Sequence, residues 1–303
     1  MSALTTLSDD LSAAVESASR SVVAVHGGRR FGASGVHWRQ GVIVTTDHSV
    51  EHDEDLSVTL PDGTRVDAEF AGRDPSTDLA VLKIASTTFA VSEKTGTEAL
   101  RIGHVVLAVA RQGGDGPAAS MGVLSALSGA WTTWRGGRVD NFIRADLTLY
   151  PGFSGGSLVD VRGYVIGINT SGLTRNWSVA LPASTVDRVV DALLARGRIA
   201  RGYLGVGLQS VRIPDSIARG LQLARGGGAI VVAVEPGSPA ERAGLMIGDV
   251  LVALDNAAVT DVEDIHGLLG PERVGAKASL RIIRAGGLTD VAVTVGERTD
   301  SDD

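Results

Sequence analysis

Residues 152–169 read GFSGGSLVDVRGYVIGIN, a serine set between glycines and followed by two short apolar runs. The glycines on both sides of Ser154 free the backbone for a tight turn, which would expose the hydroxyl and aim successive N–H groups into one space. An acyl-transfer enzyme needs that arrangement, because donors fixed in advance must meet a tetrahedral oxyanion. A glycine-rich hairpin turn with an incidental serine explains the motif alone equally well.

The residues that follow the motif favour one fold class over another. G-x-S-x-G also marks α/β-hydrolases, in which the nucleophile opens a helix and an acid and then a histidine follow in the chain. Residues 157–169 read instead as strand, turn and strand, and the only later histidine, His266, falls in a helical pattern of a second domain. The sequence therefore predicts a mainly β fold.

Two earlier residues are candidates to act with Ser154. His48 follows the apolar run 41–46, and a histidine at a strand end can present its ring to a cleft. Asp78 precedes the run 79–84 and would fix the imidazole tautomer, a role for which Asp74 competes. The order His, Asp, Ser is that of chymotrypsin-like enzymes. A surface histidine and turn-capping aspartates are the alternative interpretations.

An acidic segment after this histidine raises the question of a metal. Residues 47–55 read DHSVEHDED, in which His48 and His52 have the i, i+4 spacing of zinc-binding helices. The residue after His48 is a serine and not the glutamate that would act as a base, and Val50 is the only apolar residue, so no helix face could pack. We expect a solvated acidic loop, with no metal and no other cofactor.

The chain has the length and composition of two globular domains, with 303 residues of which 44% are hydrophobic and 21% charged. Short β-like runs at about ten-residue spacing predict a sandwich or barrel. A helical stripe over 184–196, capped by Ser184 and stopped by Gly197, ends the first domain. The predicted divisions are a helical segment 1–20, a β domain 21–197, a small α+β domain 198–297 and a disordered acidic tail 298–303.

Composition also excludes several functions. The absence of cysteine removes disulfides, thiolate zinc sites and a cysteine nucleophile, but it fits either redox compartment. A net charge of −7 disfavours nucleic acid and anionic membranes as partners. The longest apolar runs are much shorter than the roughly 18 residues of a membrane span. The first twenty residues do not resemble a secretory signal, so we expect a cytoplasmic protein, or a cell-envelope protein if its start is truncated.

The sequence as a whole resembles the HtrA/Deg family of trypsin-like serine proteases that carry a PDZ domain. Residues 34–50, 74–84 and 145–170 are similar to that family's His, Asp and Ser segments. Residues 201–207 and 235–253 are similar to parts of its PDZ domain. The resemblance implies a chymotrypsin-like double β-barrel of two six-stranded barrels, with the active site between them, followed by a small α+β PDZ domain.

The resemblance also assigns roles to individual residues. Ser154 would be the nucleophile, His48 the general base and Asp78 the residue that orients it, while the N–H groups of Gly152 and Ser154 would form the oxyanion hole. Phe153 departs from the family, which has Asn or Asp there, with polar contacts that hold the oxyanion loop. Because Phe can only pack, the loop is either held by other groups or poorly formed at rest.

Substrate recognition follows from the same resemblance. Thr148 would lie at the floor of the primary specificity pocket and the strand with Ile168 and Asn169 would form its wall, so the neutral floor predicts small or aliphatic residues before the scissile bond. The second domain would bind C-terminal peptides by adding them as a strand. Its carboxylate-binding loop would be Tyr203, Leu204, Gly205 and Val206.

These assignments imply an ATP-independent serine endopeptidase that acts on unfolded or damaged polypeptides, without a cofactor. Family members usually form trimers, and the apolar stripe over 11–18 is compatible with a homotrimer or with packing on the chain's own barrel. The alternative is a catalytically weak or inactive pseudoprotease that acts as a PDZ peptide-binding or chaperone-like module.

Overall fold

The computed structural model divides into two compact units, residues 1–199 and 200–303. Short antiparallel strands dominate the first unit and form the sheet of the second. The acidic tail 298–303, predicted to be disordered, lies outside the residues that the structure describes. Those residues are 2–28, 32–85, 89–113, 116–174, 179–223 and 226–297.

The first unit begins with helix α1 (Ala3–Ser19), which Ser2 caps, and continues into a sheet with strand order β5-β4-β1-β2-β3-β7-β6. Strands β5 and β6 are consecutive parts of one segment, interrupted at Ala68. Because β5 and β6 are the two edges of the sheet, the segment that contains both joins the edges and closes the sheet into a barrel. The strand order therefore names this one segment twice. The strands are β1 Val22–His26, β2 Ala33–Arg39, β3 Val42–Thr45, β4 Ser57–Thr59, β5 Arg65–Asp67, β6 Glu69–Asp74 and β7 Leu79–Lys83.

The second half of this unit is a closed six-stranded barrel with strand order β12-β15-β14-β13-β8-β9 and a two-stranded side ribbon, β10-β11. The mainly β double-barrel prediction is therefore confirmed. The strands are β8 Val105–Arg111, β9 Pro117–Ser128, β10 Trp131–Thr132, β11 Arg138–Val139, β12 Phe142–Asp146, β13 Ser157–Val159, β14 Val165–Thr170 and β15 Val179–Pro182.

Helix α2 (Ala183–Arg196) follows β15 with no intervening loop. Its N-cap is Pro182, in extended conformation, so the prediction that Ser184 caps the helix is wrong: the strand passes directly into the helix two residues earlier. The predicted stop is confirmed, since Gly197 adopts a left-handed conformation with φ 72° and its N–H donates to the Leu193 carbonyl.

The two barrels share a buried aliphatic core. Val44 and Val81 of the first barrel belong to the same buried cluster as Val109 and Ile168 of the second, and α2 contributes Val189. Burying one such side chain stabilises the fold by about 1.5–3 kcal/mol. The shared core therefore fixes the position of one barrel against the other. It also fixes the loops that lie where the two barrels meet.

The second unit is a small α+β domain. Its main sheet has the order β17-β18-β19-β21-β22, with β17 at one edge. Helix α4 is capped as predicted, with Ser238 accepting from the Glu241 N–H and Gly244 ending the helix. The elements are β16 Gly202–Tyr203, β17 Val206–Arg212, α3 Asp215–Gly220, β18 Gly227–Val234, α4 Pro239–Ala243, β19 Val250–Leu254, β20 Ala257–Ala258, α5 Val262–Leu268, β21 Lys277–Arg284, β22 Gly287–Thr294 and β23 Gly296–Glu297.

Candidate active site and peptide-binding loop

A histidine and an aspartate of the first barrel form a close pair. His48 lies in a single 3₁₀ turn directly after β3, and Asp78 ends the turn before β7. The His48 Nδ1 lies 2.8 Å from Asp78 Oδ2 and 2.9 Å from Oδ1, and the His48 backbone N–H donates to Oδ1 at 3.0 Å. Because a carboxylate accepts, the Nδ1 carries the proton and the Nε2 is left as the acceptor.

The second barrel completes the environment of this carboxylate. The Thr170 hydroxyl, at the end of β14, donates to Asp78 Oδ2. The Gly172 N–H in turn donates to Thr170 Oγ1 at 2.9 Å. Asp78 is buried and has φ 56°, a left-handed conformation that aspartate tolerates better than most residues. Its orientation is therefore set by groups from both barrels.

The competing aspartate has other partners. The Asp74 carboxylate is buried and accepts from the Ser76 N–H at 3.1 Å, from the Ser76 hydroxyl at 2.6 Å and from the Thr77 hydroxyl at 2.6 Å. These bonds close the turn that carries Asp78 into place. Asp78 is thus the aspartate bonded to the His48 ring, and Asp74 supports the turn.

Ser154 lies near the end of the loop between β12 and β13 and lines the same cleft as the histidine. The cleft has a volume of about 450 Å³, and its lining includes His48, Ser154 and Ser171. The Ser154 hydroxyl lies 3.1 Å from the Ser171 hydroxyl. No hydrogen bond joins Ser154 to His48 among the residues that the structure describes. Such catalytic contacts are often long or poorly aligned without substrate and tighten only when it binds.

Ser34, on β2 of the first barrel, holds the loop around Ser154. Its hydroxyl donates to the Gly152 carbonyl at 2.6 Å and accepts from the Arg111 N–H at 2.9 Å. Its backbone N–H donates to the Ser154 carbonyl at 3.1 Å. Ser34 is fully buried, so water does not compete for these bonds. One residue thus fixes the carbonyl groups on both sides of Phe153.

Phe153 is packed rather than exposed. Its side chain is 2% exposed and lies in a small cluster with Ala108 and Ala110. The Tyr150 ring meets it edge-on, with 5.6 Å between centroids, and the Phe153 N–H donates to the Tyr150 carbonyl at 3.0 Å. The sequence left open whether this loop is held by other groups or poorly formed at rest. In the structure, other groups hold it.

The three residues predicted for the specificity pocket lie in different environments. Thr148 is exposed, whereas its neighbour Leu149 lines the cleft. Ile168 is fully buried in the core between the barrels, and Asn169 is buried with its Nδ2 unpartnered among the described residues. The assignment of these residues to a pocket stays a prediction.

The acidic segment after His48 is tied down by one arginine. Arg73 lies 3.3 Å from the Asp47 carboxylate, donates to the Val50 carbonyl at 3.2 Å and contacts the Asp53 carboxylate. Burial raises the pKa of Asp47 above its ordinary value, and the Arg73 charge opposes that shift. The described residues contain no group of three or more side chains placed to hold a metal ion.

The predicted carboxylate-binding loop joins β16 to the edge strand β17. Leu204 is buried, and its carbonyl accepts from the Ala240 N–H at 2.8 Å. Gly205 has φ 76°, and a Cβ there would stand 2.2 Å from Ser238 Cβ. Tyr203 and Val206 flank this turn on β16 and β17. The loop therefore requires glycine at its centre.

Sequence analysis missed Ser34, Thr170 and Gly172. Ser34 and Thr170 act through contacts with residues far away in the chain, and Gly172 leaves the space that Asp78 and His48 occupy, so no local pattern reveals their partners. The one available signal is that Thr170, Ser171 and Gly172 form a polar run directly after an apolar strand, an arrangement typical of strand ends that face a site.

Substitution of Gly172 by alanine is expected to lower kcat about 100-fold, since a displacement of about 1 Å at a catalytic group costs that much. A Cβ at this position would stand 2.5 Å from Asp78 Oδ2 and 2.7 Å from His48 Nδ1, and would force the pair apart. Peptidase kinetics check this. The control is Gly129→Ala, where a Cβ meets nothing within 4 Å; equal activity of the two variants would contradict the geometry.

A double β-barrel with a histidine and a serine on one cleft, and a buried aspartate bonded to that histidine, defines the class of trypsin-like serine peptidases. In agreement, residues 33–168 match the trypsin-like peptidase domain family and residues 202–295 match the PDZ domain family. The chain is 30% identical to a solved structure of the HtrA-type protease AlgW with tripeptide, with a TM-score of 0.74, and covers 97% of that chain and 95% of its own. The protein belongs to the HtrA-type serine protease family.

Two further relatives agree. A serine endoprotease structure from Yersinia pestis is 29% identical, with a TM-score of 0.75 and coverage of 95% of this chain and 98% of the other. A probable periplasmic serine endoprotease, DegP-like, from Brucella suis biovar 1 (strain 1330) is 37% identical over 265 residues, or 84% of this chain. The chain spans about half the length of the curated relatives it matches, 50% in this case.

The cytoplasmic location expected from the sequence is wrong. Relatives from Brucella suis biovar 1 (strain 1330) and Rhizobium meliloti (strain 1021) are named periplasmic proteases, which points to the cell envelope. The expectation rested on the first twenty residues alone, and the composition offered no second sign of location, because a cysteine-free chain fits either compartment. Among the described residues, no helix combines the length and apolar character that crossing a bilayer needs.

Proposed function

We propose that this chain is a serine endopeptidase that cleaves unfolded or damaged polypeptides through an acyl-enzyme. The observation that supports it most is the His48–Asp78 pair, whose histidine lines the same cleft as Ser154. With Nδ1 donating to Asp78, only Nε2 is available to accept the Ser154 proton. Ser171 does not compete in that state, because its hydroxyl can donate to the serine oxygen while the serine donates to the imidazole.

In the acylation step, the Ser154 oxygen attacks the peptide carbonyl carbon while His48 takes the hydroxyl proton. The carbonyl oxygen becomes an oxyanion, and the N–H groups of Gly152 and Ser154 would donate to it. Collapse of this intermediate breaks the C–N bond, and His48 returns the proton to the leaving amine. Water then attacks the ester with His48 as the base, which releases the acid and restores the serine.

Casein, which has little folded structure, tests this function. Wild type is expected to degrade it without ATP or added metal, and Ser154→Ala serves as the blank. A stably folded protein of similar size, added to the same reaction, should remain intact. Failure of folded wild type to degrade casein, with and without a C-terminal peptide, would contradict the proposal.

The pseudoprotease alternative is not favoured. It depended on Phe153 leaving the oxyanion loop poorly formed, whereas Phe153 is packed and Ser34 bonds to the carbonyl groups of Gly152 and Ser154.

We propose cleavage after small or aliphatic residues, because the sequence assigns the neutral Thr148 to the primary pocket and no carboxylate is among the described residues that line the cleft. An arginine or lysine side chain would need a buried carboxylate, since an unpaired charge is costly to bury. Digestion of a peptide library, with the products read by mass spectrometry, is expected to show Ala, Val or Leu before the cleaved bond. A dominant preference for Arg or Lys would refute this assignment.

For the second unit we propose that C-terminal peptides bind along the edge strand β17, with their carboxylate on the loop from Tyr203 to Val206. A strand at a sheet edge has unpaired backbone groups, which a peptide can use by adding as a further strand. The AlgW structure with tripeptide shows that a related protein of this family accommodates a short peptide.

Gly205→Ala is expected to weaken binding of a fluorescent C-terminal peptide tenfold or more. A non-glycine residue in the left-handed conformation costs about 1–2 kcal/mol, which is roughly tenfold in affinity, and the Ser238 contact adds to it. Fluorescence anisotropy measures the effect. Gly220→Ala, where a Cβ meets nothing within 4 Å, is the control; unchanged affinity for Gly205→Ala would refute the loop assignment.

A homotrimer is the oligomeric state that we propose. Leu4 and Leu7 of α1 are 77% and 52% exposed, and apolar side chains left on an ordered helix favour burial against another surface. Light scattering that gives the mass of a single chain over the working concentration range would contradict it.

A further inference from the structure

Gln112 lies against the peptide that carries one of the oxyanion donors. It follows directly after β8, and its Nε2 donates to the Pro151 carbonyl oxygen. Its Cγ also stands 2.7 Å from where a Cβ of Gly152 would be. Pro151 and Gly152 line the same cleft as Ser154. The side chain therefore covers the peptide bond between these two residues from one side.

A planar trans peptide couples the two groups it carries. The carbonyl of one residue and the N–H of the next point in opposite directions. A donor that holds the Pro151 oxygen on its own side therefore turns the Gly152 N–H to the other side. Gly152 has φ 84°. Without a donor on the preceding carbonyl, the peptide bond before a glycine can rotate at low cost.

The remaining carbonyl groups of this loop have their own partners. Ser34 bonds to Gly152 and Ser154, and the Phe153 carbonyl accepts from the Gly156 N–H at 3.0 Å. Neither the Gly152 N–H nor the Ser154 N–H has a backbone acceptor among the described residues. Among the carbonyl groups of residues 151–154, that of Pro151 is the one whose donor is an exposed side chain. A substitution of this donor can therefore remove the hydrogen bond without disturbing the core.

We propose that Gln112 is a positioning residue that keeps the Gly152 N–H directed at the developing oxyanion. Gln112 supports the loop by a polar contact from outside it, whereas the Phe153 side chain can make no polar contact. This inference rests on the proposed peptidase function. Gln112 does not touch the reacting atoms, so its effect should appear in the chemical step and in binding of transition-state analogues, with little change in substrate binding.

Gln112→Glu tests this, because it keeps the shape of the side chain and replaces the donor by an oxygen that repels the Pro151 carbonyl. We expect kcat to fall about tenfold, the effect of losing one hydrogen bond, with KM unchanged. The inhibition constant of a peptide boronate should rise in parallel, because its tetrahedral adduct places an oxygen in the oxyanion hole. Gln112→Lys, which restores a donor, should recover most of the activity.

Gln222→Glu is the matched control, since this exposed residue of the second unit undergoes the same change of charge. A thermal melt of each variant verifies that it is folded. Unchanged kcat and boronate affinity in Gln112→Glu, or a loss confined to KM, would overturn the inference while leaving the peptidase intact. A wild type that neither cleaves casein nor binds the boronate would overturn the proposed function and this inference with it.

Discussion

Asp78→Asn is expected to lower kcat, and with it kcat/KM, about 10⁴-fold, the cost of losing the correct histidine tautomer in such a triad. The Asp78 carboxylate accepts from the His48 Nδ1 and from the His48 backbone N–H. An asparagine amide would present an N–H to Nδ1 and so favour the tautomer with its proton on Nε2. That tautomer cannot accept the Ser154 proton. Steady-state kinetics with a peptide substrate measure the effect.

Asp74→Asn provides the matched control for this prediction. The two carboxylates are both buried and only four positions apart, but Asp74 accepts from Ser76 and Thr77. Its replacement should lower the melting temperature, because a buried network loses a charged acceptor, and should reduce kcat/KM much less than Asp78→Asn. The reverse order, with Asp74→Asn the more damaging to activity in folded protein, would contradict the assignment.

Ser154→Ala is expected to have a larger effect still, a loss of kcat of about 10⁶-fold, as found where a serine nucleophile of this kind is removed. The alternative nucleophile in the cleft is Ser171, whose hydroxyl lies only 3.1 Å away. Ser171→Ala removes that neighbour and leaves the Ser154 hydroxyl, so it should retain most of the activity. Cleavage of a fluorogenic peptide compares the two variants over several decades of rate.

The comparison of two serines makes the result decisive. If Ser171→Ala abolishes activity and Ser154→Ala does not, then Ser171 is the nucleophile and the role assigned to the glycine-rich loop is wrong. If neither change matters, catalysis uses another group. In both cases circular dichroism must first show that the variants keep the β fold of wild type.

The sequence predicted the fold and the candidate triad because each depends on a local signal. Ser154 lies between glycines, His48 follows an apolar strand and Asp78 precedes another, and their chain order excluded the α/β-hydrolase fold. The closure of the first barrel was harder to predict from the sequence, since it depends on one segment, 65–74, that pairs with a different strand at each of its ends.

The supports of the site could not be predicted in the same way. Ser34 meets Gly152 across 118 positions of sequence, and Thr170 meets Asp78 across 92. Serine and threonine occur throughout the chain. Nothing local distinguishes Ser34, and the only local signal for Thr170 is the polar run 170–172 that follows an apolar strand. The significance of Phe153 also escaped prediction, because packing against Ala108 and Ala110 becomes visible only when β8 is placed beside the loop.

The central claim is that the His48–Asp78 pair activates the Ser154 hydroxyl. It is tested most directly by a biotinylated fluorophosphonate, followed by proteolytic mapping of the adduct by mass spectrometry. The account predicts one phosphonyl group, on Ser154 of the wild type, and its loss in His48→Ala although Ser154 is still present. A folded wild type without an adduct, an adduct on another residue, or equal labelling of His48→Ala would contradict it.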